Sequence, residues 1–437
     1  MLIRSMYPRE VATDGDWLTA PEATLRLGVR PQTLYAYVSR GLVESEPVPG
    51  TRTSRYARAD VERLAARARR TRPATGPEIV VDSALTLLDP DGHLYYRGWD
   101  VAAAARDATF EQVASWLWDT DAAVEVWRAP DDALSVARAI QEALPPATPL
   151  PDRLRVVAAA IGAVDPLRND RNPAAVATRA RGLIATLVDA LPISAPSSRG
   201  STERADTSIA ARLWSHVATT PPTPARVRAL DRALVLLADH ELAASTLAVR
   251  VAASTWADPY LLVSTGLATA GGPLHAGSSE RVRELFREVR DGVPAATAVG
   301  ARLREGMPVP GFGHAVYRGT DPRATLLLDA VRTSRPPRAL WDAATALLDV
   351  MASDAGPEPN VDFALGAFAE ANAMRDGAGE VIFVIARCAG WIAHGLEEYA
   401  HRLRYRVRAA YTGPRPATPS LGTSPPSQIR RPPPVSR

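Results

Sequence analysis

Apolar residues recur every three or four positions through most of the chain between residues 80 and 413. This spacing is typical of amphipathic helices, because it places one apolar stripe along each helix. The clearest cases are Phe110–Leu117, Val136–Leu144, Ala229–Leu237 and Ala339–Val350. Sustained alternation of apolar and polar residues, which would indicate strands, is rare. The pattern predicts an all-α body.

Three segments depart from this helical period. Two short apolar runs in Ala84–Tyr96, Thr86–Leu88 and Leu94–Tyr96, flank the turn-forming residues Asp-Pro-Asp-Gly, which predicts a β-hairpin. The polar segment 194–207 predicts a surface loop. The segment 414–437 has eight prolines and no apolar period, so we expect it to be disordered.

The first 75 residues form a separate pattern of short helical segments and turns. Leu18–Ala23 has an N-cap threonine and a proline in its first turn, which predicts a first helix. A second helix is predicted over Gln32–Val38, a turn-rich wing over Pro47–Arg55, and a third helix from about Ala59. Two helices joined by a short turn are the arrangement with which DNA-binding modules enter the major groove.

Composition restricts the chemistry. The chain has 437 residues, of which 46% are hydrophobic and 23% charged, as in soluble globular proteins of two or three domains. All 51 basic residues are arginine and none is lysine. Schiff-base chemistry and a phosphate-binding P-loop lysine are therefore excluded, and anions must be bound by guanidinium groups or backbone amides. The single cysteine, Cys388, excludes an internal disulfide and a cysteine-rich zinc site.

The expected location follows from the same features. One cysteine is typical of a reducing compartment. Met1–Trp17 has no apolar run of signal-peptide length, and the apolar stretch Val381–Ala393 is short and interrupted by Arg387. We therefore expect a cytoplasmic protein that does not span a membrane.

Charge is unevenly distributed, although the net charge is only +3. Between Arg26 and Arg72, eleven arginines stand against four acidic residues, a net charge of +7, whereas residues 73–413 carry −6. Four motifs lie in or next to this basic segment: Leu18-Thr19-Ala20-Pro21-Glu22-Ala23, Gly28-Val29, Thr33-Leu34-Tyr35 and Tyr56-Ala57-Arg58-Ala59-Asp60-Val61. Together they resemble the winged helix-turn-helix of the MerR and excisionase type.

This resemblance implies that residues 1–75 bind DNA. A basic patch is the electrostatic footprint of such binding. The contacts to test first are Arg30, Gln32, Arg40, Arg52 and Arg55. The alternative is a helical appendage that packs on the body without touching nucleic acid, because arginine-rich helix faces are often only solvated.

Four segments of the body could carry chemistry. His275 lies among small residues just before a predicted helix, where backbone can approach a ligand, and His314 follows a rigid proline-glycine turn. His240 follows Asp239 on what the pattern predicts to be a long apolar helix, and Asp362 opens another helix after a proline turn. A lone histidine is more often structural than catalytic. No two histidines have the spacing of a zinc helix, and no serine-hydrolase elbow occurs.

The order of these segments is more specific than any one of them. Eight motifs follow one another: Leu94-Tyr95-Tyr96-Arg97-Gly98-Trp99-Asp100, Ala238-Asp239-His240-Glu241-Leu242, Gly272-Pro273-Leu274-His275, Pro310-Gly311-Phe312-Gly313-His314, Asp321-Pro322-Arg323, Asn360-Val361-Asp362, Ala386-Arg387-Cys388-Ala389-Gly390-Trp391-Ile392-Ala393-His394 and Tyr411-Thr412-Gly413. Together they resemble the citrate synthase family. The resemblance implies large and small helical domains over residues 76–413, with the small one at about 277–378.

The resemblance also implies a reaction, the condensation of acetyl-CoA with oxaloacetate and hydrolysis of the thioester, as in the tricarboxylic acid cycle. No cofactor would be permanently bound, since acetyl-CoA is a substrate. A thioester methyl is a very weak acid, so a carboxylate base and a donor to the enol oxygen must act together. By position, Asp362 is the base, His275 the enol donor and His314 the donor to the alkoxide that forms on the ketone.

Substrate contacts follow by the same carry-over. Arg323 and Arg387 would bind the carboxylates of oxaloacetate, with His240 as a further contact. Arg406, or Arg408 in its place, would reach into the neighbouring subunit's site, which implies a homodimer. The turn that would receive the adenine of coenzyme A is Val309-Pro310-Gly311-Phe312-Gly313.

Several alternatives remain open. The chain departs from the family pattern at Ala243, Ala276 and Ala364–Leu365, and small changes beside a pocket shift selectivity by about 1–3 kcal/mol. A 2-methylcitrate synthase that uses propionyl-CoA is therefore an alternative. A DNA-binding regulator whose body senses oxaloacetate or acyl-CoA is another. Arg387 could instead form only an ion pair between helices.

Overall fold

A computed structural model describes most of the body and parts of the N-terminal segment. The described residues are 17–27, 34–35, 37–38, 42–48, 53–62, 80–89, 92–120, 126–194, 207–272, 275, 277–314, 316–317, 319–353, 356–401, 405 and 413. They divide into two compact units, with the boundary between Asp82 and Ser83. The segments expected to be a surface loop and a disordered tail lie mostly or wholly outside the described residues.

The N-terminal unit contains a three-stranded antiparallel sheet in the order β1-β3-β2. Its elements are β1 (Trp17–Thr19), α1 (Ala20–Leu27), β2 (Ser45–Pro47) and β3 (Ser54–Ala57). The start of α1 is the predicted one, because the backbone amide of Thr19 donates to the Glu22 carboxylate at 2.8 Å. Strands β2 and β3 lie at the two ends of the segment predicted to be a wing, and residues 49–52 between them lie outside the described residues.

Strand β1 is a feature that the sequence does not predict. Its residues pair with β3, with Leu18 opposite Tyr56. A pairing between residues almost forty positions apart leaves no local signal in a three-residue strand. The small apolar core of this unit is made by Leu18, Ala23, Leu34, Val43, Tyr56 and Val61.

Helices dominate the second unit, which confirms the prediction of a mostly helical body. They are α2 (Val101–Asp107), α3 (Phe110–Leu117), α4 (Asp131–Ala143), α5 (Leu150–Ile161), α6 (Pro173–Asp189), α7 (Ile209–Val217), α8 (Pro224–Leu237), α9 (Ala244–Ser254), α10 (Pro259–Ala270), α11 (Ser278–Arg290), α12 (Ala295–Arg304), α13 (Pro322–Thr333), α14 (Arg338–Ser353), α15 (Val361–Ala371) and α16 (Ala378–His401). The predicted bounds of α3 are those observed.

The predicted hairpin is present and continues into a third strand. Strands β4 (Thr86–Leu88), β5 (Leu94–Tyr96) and β6 (Trp99–Asp100) form an antiparallel sheet in that order. The backbone amide of Ala84 donates to the Glu397 carboxylate at 2.8 Å, which fixes the hairpin to α16. The sequence does not predict β6, because two residues carry no readable alternation.

Helix α16 is the centre of the larger core. By length and composition it could cross a membrane, but 89% of its most apolar window is buried within the fold. Trp391 packs so closely on α10 that a Cβ at Gly266 would lie 2.4 Å from its ring. Cys388 is buried there, and burial raises the pKa of its thiol, so it is an unreactive core residue.

A second, smaller apolar cluster is formed by α11, α12, α14, α15 and the turn that precedes His314. Its members include Val282, Phe286, Val299, Phe312, Leu347 and Phe363. Helices α11 and α15 pack closely at Gly366, where an added Cβ would lie only 2.7 Å from the Val282 side chain. This cluster lies within residues 282–367, inside the range expected for the small domain.

Candidate active site

Two buried arginines form the electrostatic centre of the site. Arg323, in the first turn of α13, is 3% exposed, and Arg387, in the middle of α16, is 1% exposed. Both interact electrostatically with His240 and Asp362. His275 interacts with Arg387, and His314 with Arg323. The fold therefore collects residues from three helices and three loops around one point.

Asp321 fixes Arg323 in place. Its carboxylate accepts hydrogen bonds from Nε and Nη2 of Arg323 at 3.0 and 2.8 Å and caps α13 by accepting from the Arg323 amide. It also accepts from the Val361 amide at 3.0 Å, at the start of α15. Burial alone would raise the pKa of Asp321, but Arg323 holds that pKa below its ordinary value. One carboxylate thus joins the helices that carry Arg323 and Asp362.

Arg387 has a different environment. Its Nε donates to the Leu237 carbonyl at 2.9 Å, and its guanidinium lies 4.6 Å from the centre of the Phe383 ring. Within the described part of the chain, no carboxylate lies at ion-pair distance from it, so the alternative of an ion pair between helices is not observed there. Burial lowers the pKa of this guanidinium. The Asp239 and Asp362 charges act on it only from beyond ion-pair distance. A buried cation without a carboxylate at ion-pair distance is costly, which favours an anionic ligand.

Backbone amides fix the tautomer of His314. The amides of Val316 and Tyr317 point at Nδ1 over 3.0 and 3.3 Å, so Nδ1 accepts and the neutral ring carries its proton on Nε2. Burial and the Arg323 charge lower the pKa of His314 to about 4. The ring is therefore neutral near pH 7. His314 Nε2 lies 3.4 Å from Arg323 Nη2. With this tautomer both nitrogens are donors, so an oxygen that gains negative charge beside them could accept from each.

His275 lies three residues before α11, as the sequence predicts. Its amide donates to the Gly272 carbonyl at 2.9 Å, and its ring contacts Phe383 edge-on at 5.8 Å between centroids. Burial, and then the Arg387 charge, lower the pKa of His275, so this ring is also neutral. Its Nε2 is buried and has no hydrogen-bond partner among the residues that the structure describes. A ligand oxygen could satisfy it.

Asp362 lies in the first turn of α15, where the sequence predicts a helix to open. Burial raises the pKa of Asp362 to about 6, although Arg323 and a hydrogen bond from the Ser278 side chain act in the other direction. A carboxylate with a raised pKa is a stronger base than an exposed one and is still ionised at pH 7. The sequence analysis assigned no role to Ser278.

Asn360 joins this base to the predicted coenzyme turn. Its side chain caps α15 by accepting from the Asp362 amide at 3.0 Å and donates to the Gly313 carbonyl at 2.8 Å. Its backbone amide donates to the Gly311 carbonyl at 2.9 Å. Phe312 of the turn also forms an isolated antiparallel β-bridge with Pro359, the residue before Asn360. Sequence reasoning quoted Asn360 without a role, although an asparagine before a helix is an N-cap signal.

The prediction that His240 lies on a long apolar helix is wrong. Helix α8 ends at Leu237 and α9 begins at Ala244, so His240 lies in the loop between them. Two distant side chains hold this loop: the Tyr96 hydroxyl donates to the Asp239 carbonyl at 3.0 Å, and the Thr86 hydroxyl donates to the Asp239 carboxylate. These contacts replace helical hydrogen bonds.

The ring of His240 remains within the site after this correction. Its Nε2 lies 2.9 Å from the Tyr317 hydroxyl, and its centroid lies 5.1 Å from that of His314. Burial lowers the pKa of His240 well below its ordinary value, and the charges of Arg323 and Arg387 act in the same direction. His240 is therefore a neutral hydrogen-bonding group.

Several residues named from the sequence lie outside the described residues. They are Arg406 and Arg408, the departure at Ala276, and the DNA candidates Arg30, Gln32, Arg40 and Arg52. The remaining DNA candidate, Arg55, forms an ion pair with Glu46 and lies 5.1 Å from the centre of the Trp17 ring.

The other departures from the family pattern lie on or beside helices. Ala243 stands at the N-cap of α9, where it provides no side-chain cap. Ala364 and Leu365 are fully buried in α15, two and three residues after Asp362.

The raised pKa of Asp362 gives the site an expected pH dependence. A base must be ionised, and the ionised fraction falls as the pH drops through about 6. We expect kcat/KM to fall about tenfold per pH unit below that value, whereas His314, with a pKa of about 4, adds nothing there. Steady-state rates from pH 5 to pH 8 measure this limb. A flat profile to pH 5 would contradict it.

The raised pKa of Asp362 also makes stability depend on pH, in the direction opposite to that expected for activity. Because the folded-state pKa of Asp362 lies above the ordinary carboxyl value, folding favours its protonated form. This contribution to stability is present below the unfolded-state pKa and is lost as the pH rises through about 6.

Gly311 and Gly313, in the predicted coenzyme turn, differ in the space available for a side chain although both have positive φ. Gly311 and Gly313 have φ of +83° and +81°, so alanine at either costs about 1–2 kcal/mol. A Cβ at Gly311 would also lie 2.8 Å from Phe363 and Val282, whereas at Gly313 the nearest atom is 3.4 Å away. We expect Gly311→Ala to lower the free energy of unfolding by a further ~1–3 kcal/mol in urea titrations. Equal losses of unfolding free energy in Gly311→Ala and Gly313→Ala would show that no clash exists at Gly311.

The site combines a carboxylate of raised pKa with three neutral imidazoles and two buried arginines. These groups suit an enzyme that deprotonates a weak carbon acid and binds an anionic second substrate.

The family model "Citrate synthase, C-terminal domain" matches residues 77–408. The chain therefore belongs to the citrate synthase family, and it is an acyltransferase of that type. The match begins after the segment predicted to be a helix-turn-helix domain.

Curated relatives match most of the chain. Citrate synthase of Haloferax volcanii is 32% identical over 77% of this chain and 94% of its own length. Citrate synthase 2 of Bacillus subtilis is 29% identical over 79% and 96%. The 2-methylcitrate synthase of Mycobacterium tuberculosis is 31% identical over 77% and 89%.

Solved structures show the same fold. Citrate synthase from Thermotoga maritima aligns with a TM-score of 0.62 and 25% identity over 77% of this chain and 94% of its own. The Thermoplasma acidophilum enzyme, solved as a ternary complex with carboxymethyl coenzyme A and oxaloacetate, aligns with a TM-score of 0.65 and 24% identity over 78% and 95%. The expected citrate synthase fold is thus confirmed for the body.

Proposed function

We propose that this protein condenses acetyl-CoA with oxaloacetate and water to give citrate and free coenzyme A. The observation that carries the proposal is the convergence of Asp362, His275 and His314 on the two buried arginines. Family membership supports the same reaction. Each group has the protonation state that its step requires.

In the first step, the Asp362 carboxylate removes a proton from the methyl group of acetyl-CoA. The electron pair of the broken C–H bond forms a carbon–carbon double bond, and the thioester oxygen gains negative charge. The Nε2–H of the neutral His275 donates to that oxygen. Donors already aimed at such an oxygen lower the barrier, because they need no reorganisation.

In the second step, the enol carbon attacks the keto carbon of oxaloacetate and a new carbon–carbon bond forms. The ketone oxygen becomes an alkoxide, and the Nε2–H of His314 donates to it. Arg323, 3.4 Å from that nitrogen, adds a positive charge beside the alkoxide. Water then cleaves the thioester of the condensed product, which releases citrate and coenzyme A.

Oxaloacetate would be held by its two carboxylates. Arg387 needs an anionic partner, and Arg323 lies beside it with His240 at the wall of the site. We propose that Arg406, or Arg408, completes this site from a second subunit, so that the active form is a homodimer. Size-exclusion chromatography with light scattering tests the dimer.

The reaction is tested by the products. Wild-type protein should release one coenzyme A per citrate, and only when acetyl-CoA and oxaloacetate are both present. The 31% identity to a 2-methylcitrate synthase favours propionyl-CoA as a second candidate substrate. The ratio of kcat/KM for the two thioesters assigns the preference. Release of coenzyme A without oxaloacetate would contradict the proposal.

We also propose that the N-terminal unit binds DNA. A net charge of +7 over residues 26–72, and the helix α1 next to a three-stranded antiparallel sheet, support this. Gel shifts with the full chain should weaken steeply with salt. Arg40→Glu should abolish the shift, whereas Arg332→Glu, on an exposed face of the body, should not. No shift at low salt would favour a packing appendage.

A further inference from the structure

Tyr317 makes four contacts with residues of the candidate site. Its hydroxyl lies 2.9 Å from His240 Nε2. Its backbone amide points at His314 Nδ1 over 3.3 Å, and its ring centroid lies 4.7 Å from that of His314. The Arg323 guanidinium lies 5.8 Å from the ring centre. We propose that Tyr317 is a positioning residue that acts through His240 on oxaloacetate binding, an inference that rests on the proposed function.

Both partners of this hydrogen bond are neutral, as the two pKa shifts indicate. Burial lowers the pKa of His240, so its neutral ring has one donor and one acceptor nitrogen. We assign Nε2 as the acceptor, because the tyrosine hydroxyl 2.9 Å away can donate to it, and Nδ1 then carries the ring proton. Burial raises the pKa of Tyr317 to about 12, so its hydroxyl keeps its proton and donates to Nε2. Both ring nitrogens are then fixed, and the ring has one orientation.

The contacts of Tyr317 can be separated by substitution. Phenylalanine keeps the backbone amide that holds His314 and the ring that packs beside Arg323. It removes only the hydroxyl, which leaves the buried Nε2 of His240 without its donor. A buried acceptor without a partner costs far more than the bond contributed net, so the ring should turn or change tautomer. Groups bound by the ring in its original orientation are then lost.

The test is Tyr317→Phe in the full chain, with oxaloacetate affinity measured by isothermal titration calorimetry. We expect the affinity to fall on the order of tenfold. The KM for oxaloacetate should rise with it, while the pH profile keeps its acid limb near 6, because Asp362 is untouched. Unchanged affinity would overturn the proposal.

Tyr260→Phe is the matched control. Tyr260 is also buried and its hydroxyl donates to Asp165 at 3.0 Å, away from the site residues. Its loss should reduce stability to a similar extent without changing oxaloacetate affinity. If both variants weaken oxaloacetate binding equally, the effect of Tyr317 is one of general stability and the proposal fails.

A double-mutant cycle tests whether His240 carries the effect. In a His240→Ala background, Tyr317→Phe should change oxaloacetate affinity by less than about twofold, because the acceptor is gone. Effects that multiply would show that Tyr317 acts by another route. The wild-type protein distinguishes failure of the proposed reaction from failure of the positioning role. If it binds oxaloacetate but releases no coenzyme A, the reaction is rejected, and the effect of Tyr317→Phe on oxaloacetate affinity still tests the positioning role.

Discussion

Replacing Asp362 with asparagine should lower kcat by roughly 10²–10⁴-fold, the usual contribution of a general base. Asparagine has almost the same shape as aspartate but cannot accept the methyl proton. Binding of oxaloacetate should remain, because Arg323 and Arg387 are unchanged. Release of coenzyme A followed at pH 8, where the wild-type base is ionised, measures the loss.

Asp342→Asn is the control for this substitution. Asp342 is a largely exposed carboxylate on α14 whose partner, Arg338, is also exposed. An exposed pair of this kind contributes little, so both rate and stability should stay near wild type. If Asp362→Asn turned over as fast as Asp342→Asn, the base would have to be another residue.

The second large effect concerns Arg387. Arg387→Met should weaken oxaloacetate binding by roughly 30- to 5,000-fold, since removing one partner of a buried charge pair costs about 2–5 kcal/mol. The ligand-free protein should not lose comparable stability, because the variant no longer buries a cation that has no carboxylate at ion-pair distance in the described residues. Calorimetric titration and thermal unfolding, with and without oxaloacetate, measure both effects.

Arg153→Met provides the comparison. Arg153 is equally buried, but its guanidinium is satisfied by the Gln141 side chain at 2.9 Å and by backbone carbonyls. Its replacement should lower stability and leave oxaloacetate affinity unchanged. The opposite pattern, with Arg387→Met unstable but binding normally, would make Arg387 a structural residue.

Features encoded by local pattern could be predicted from the sequence. The bounds of α3 follow from its apolar spacing and from Thr109, which forms a capping box with Gln112. The hairpin strands, Thr86–Leu88 and Leu94–Tyr96, follow from two apolar runs around a turn. In each case the deciding interactions lie within about ten residues.

Features set by distant contacts could not be predicted. The loop that carries His240 is held by Tyr96 and Thr86, which lie more than 140 residues before it in the chain. Tyr317 meets His240 across 77 positions. The raised pKa of Asp362 comes chiefly from burial, which only the packing of α15 establishes.

The roles of the candidate residues lie between these cases. The resemblance to the citrate synthase family, carried by the order of the motifs, selected His275, His314 and Asp362, and the structure brings them to the same two arginines. The absence of a carboxylate at Arg387 among the described residues, and the buried Nε2 of His275 without a partner there, became visible only in three dimensions. These two features support the proposed positions of the substrates.

A single-turnover measurement decides between an enzyme and a ligand sensor. Protein saturated with oxaloacetate is mixed with one equivalent of acetyl-CoA, and free thiol is followed over time. The expected result is one thiol per active site in the wild type and a release roughly 10²–10⁴-fold slower in Asp362→Asn, with both proteins binding both ligands. Full binding by the wild type with no thiol released would contradict the account.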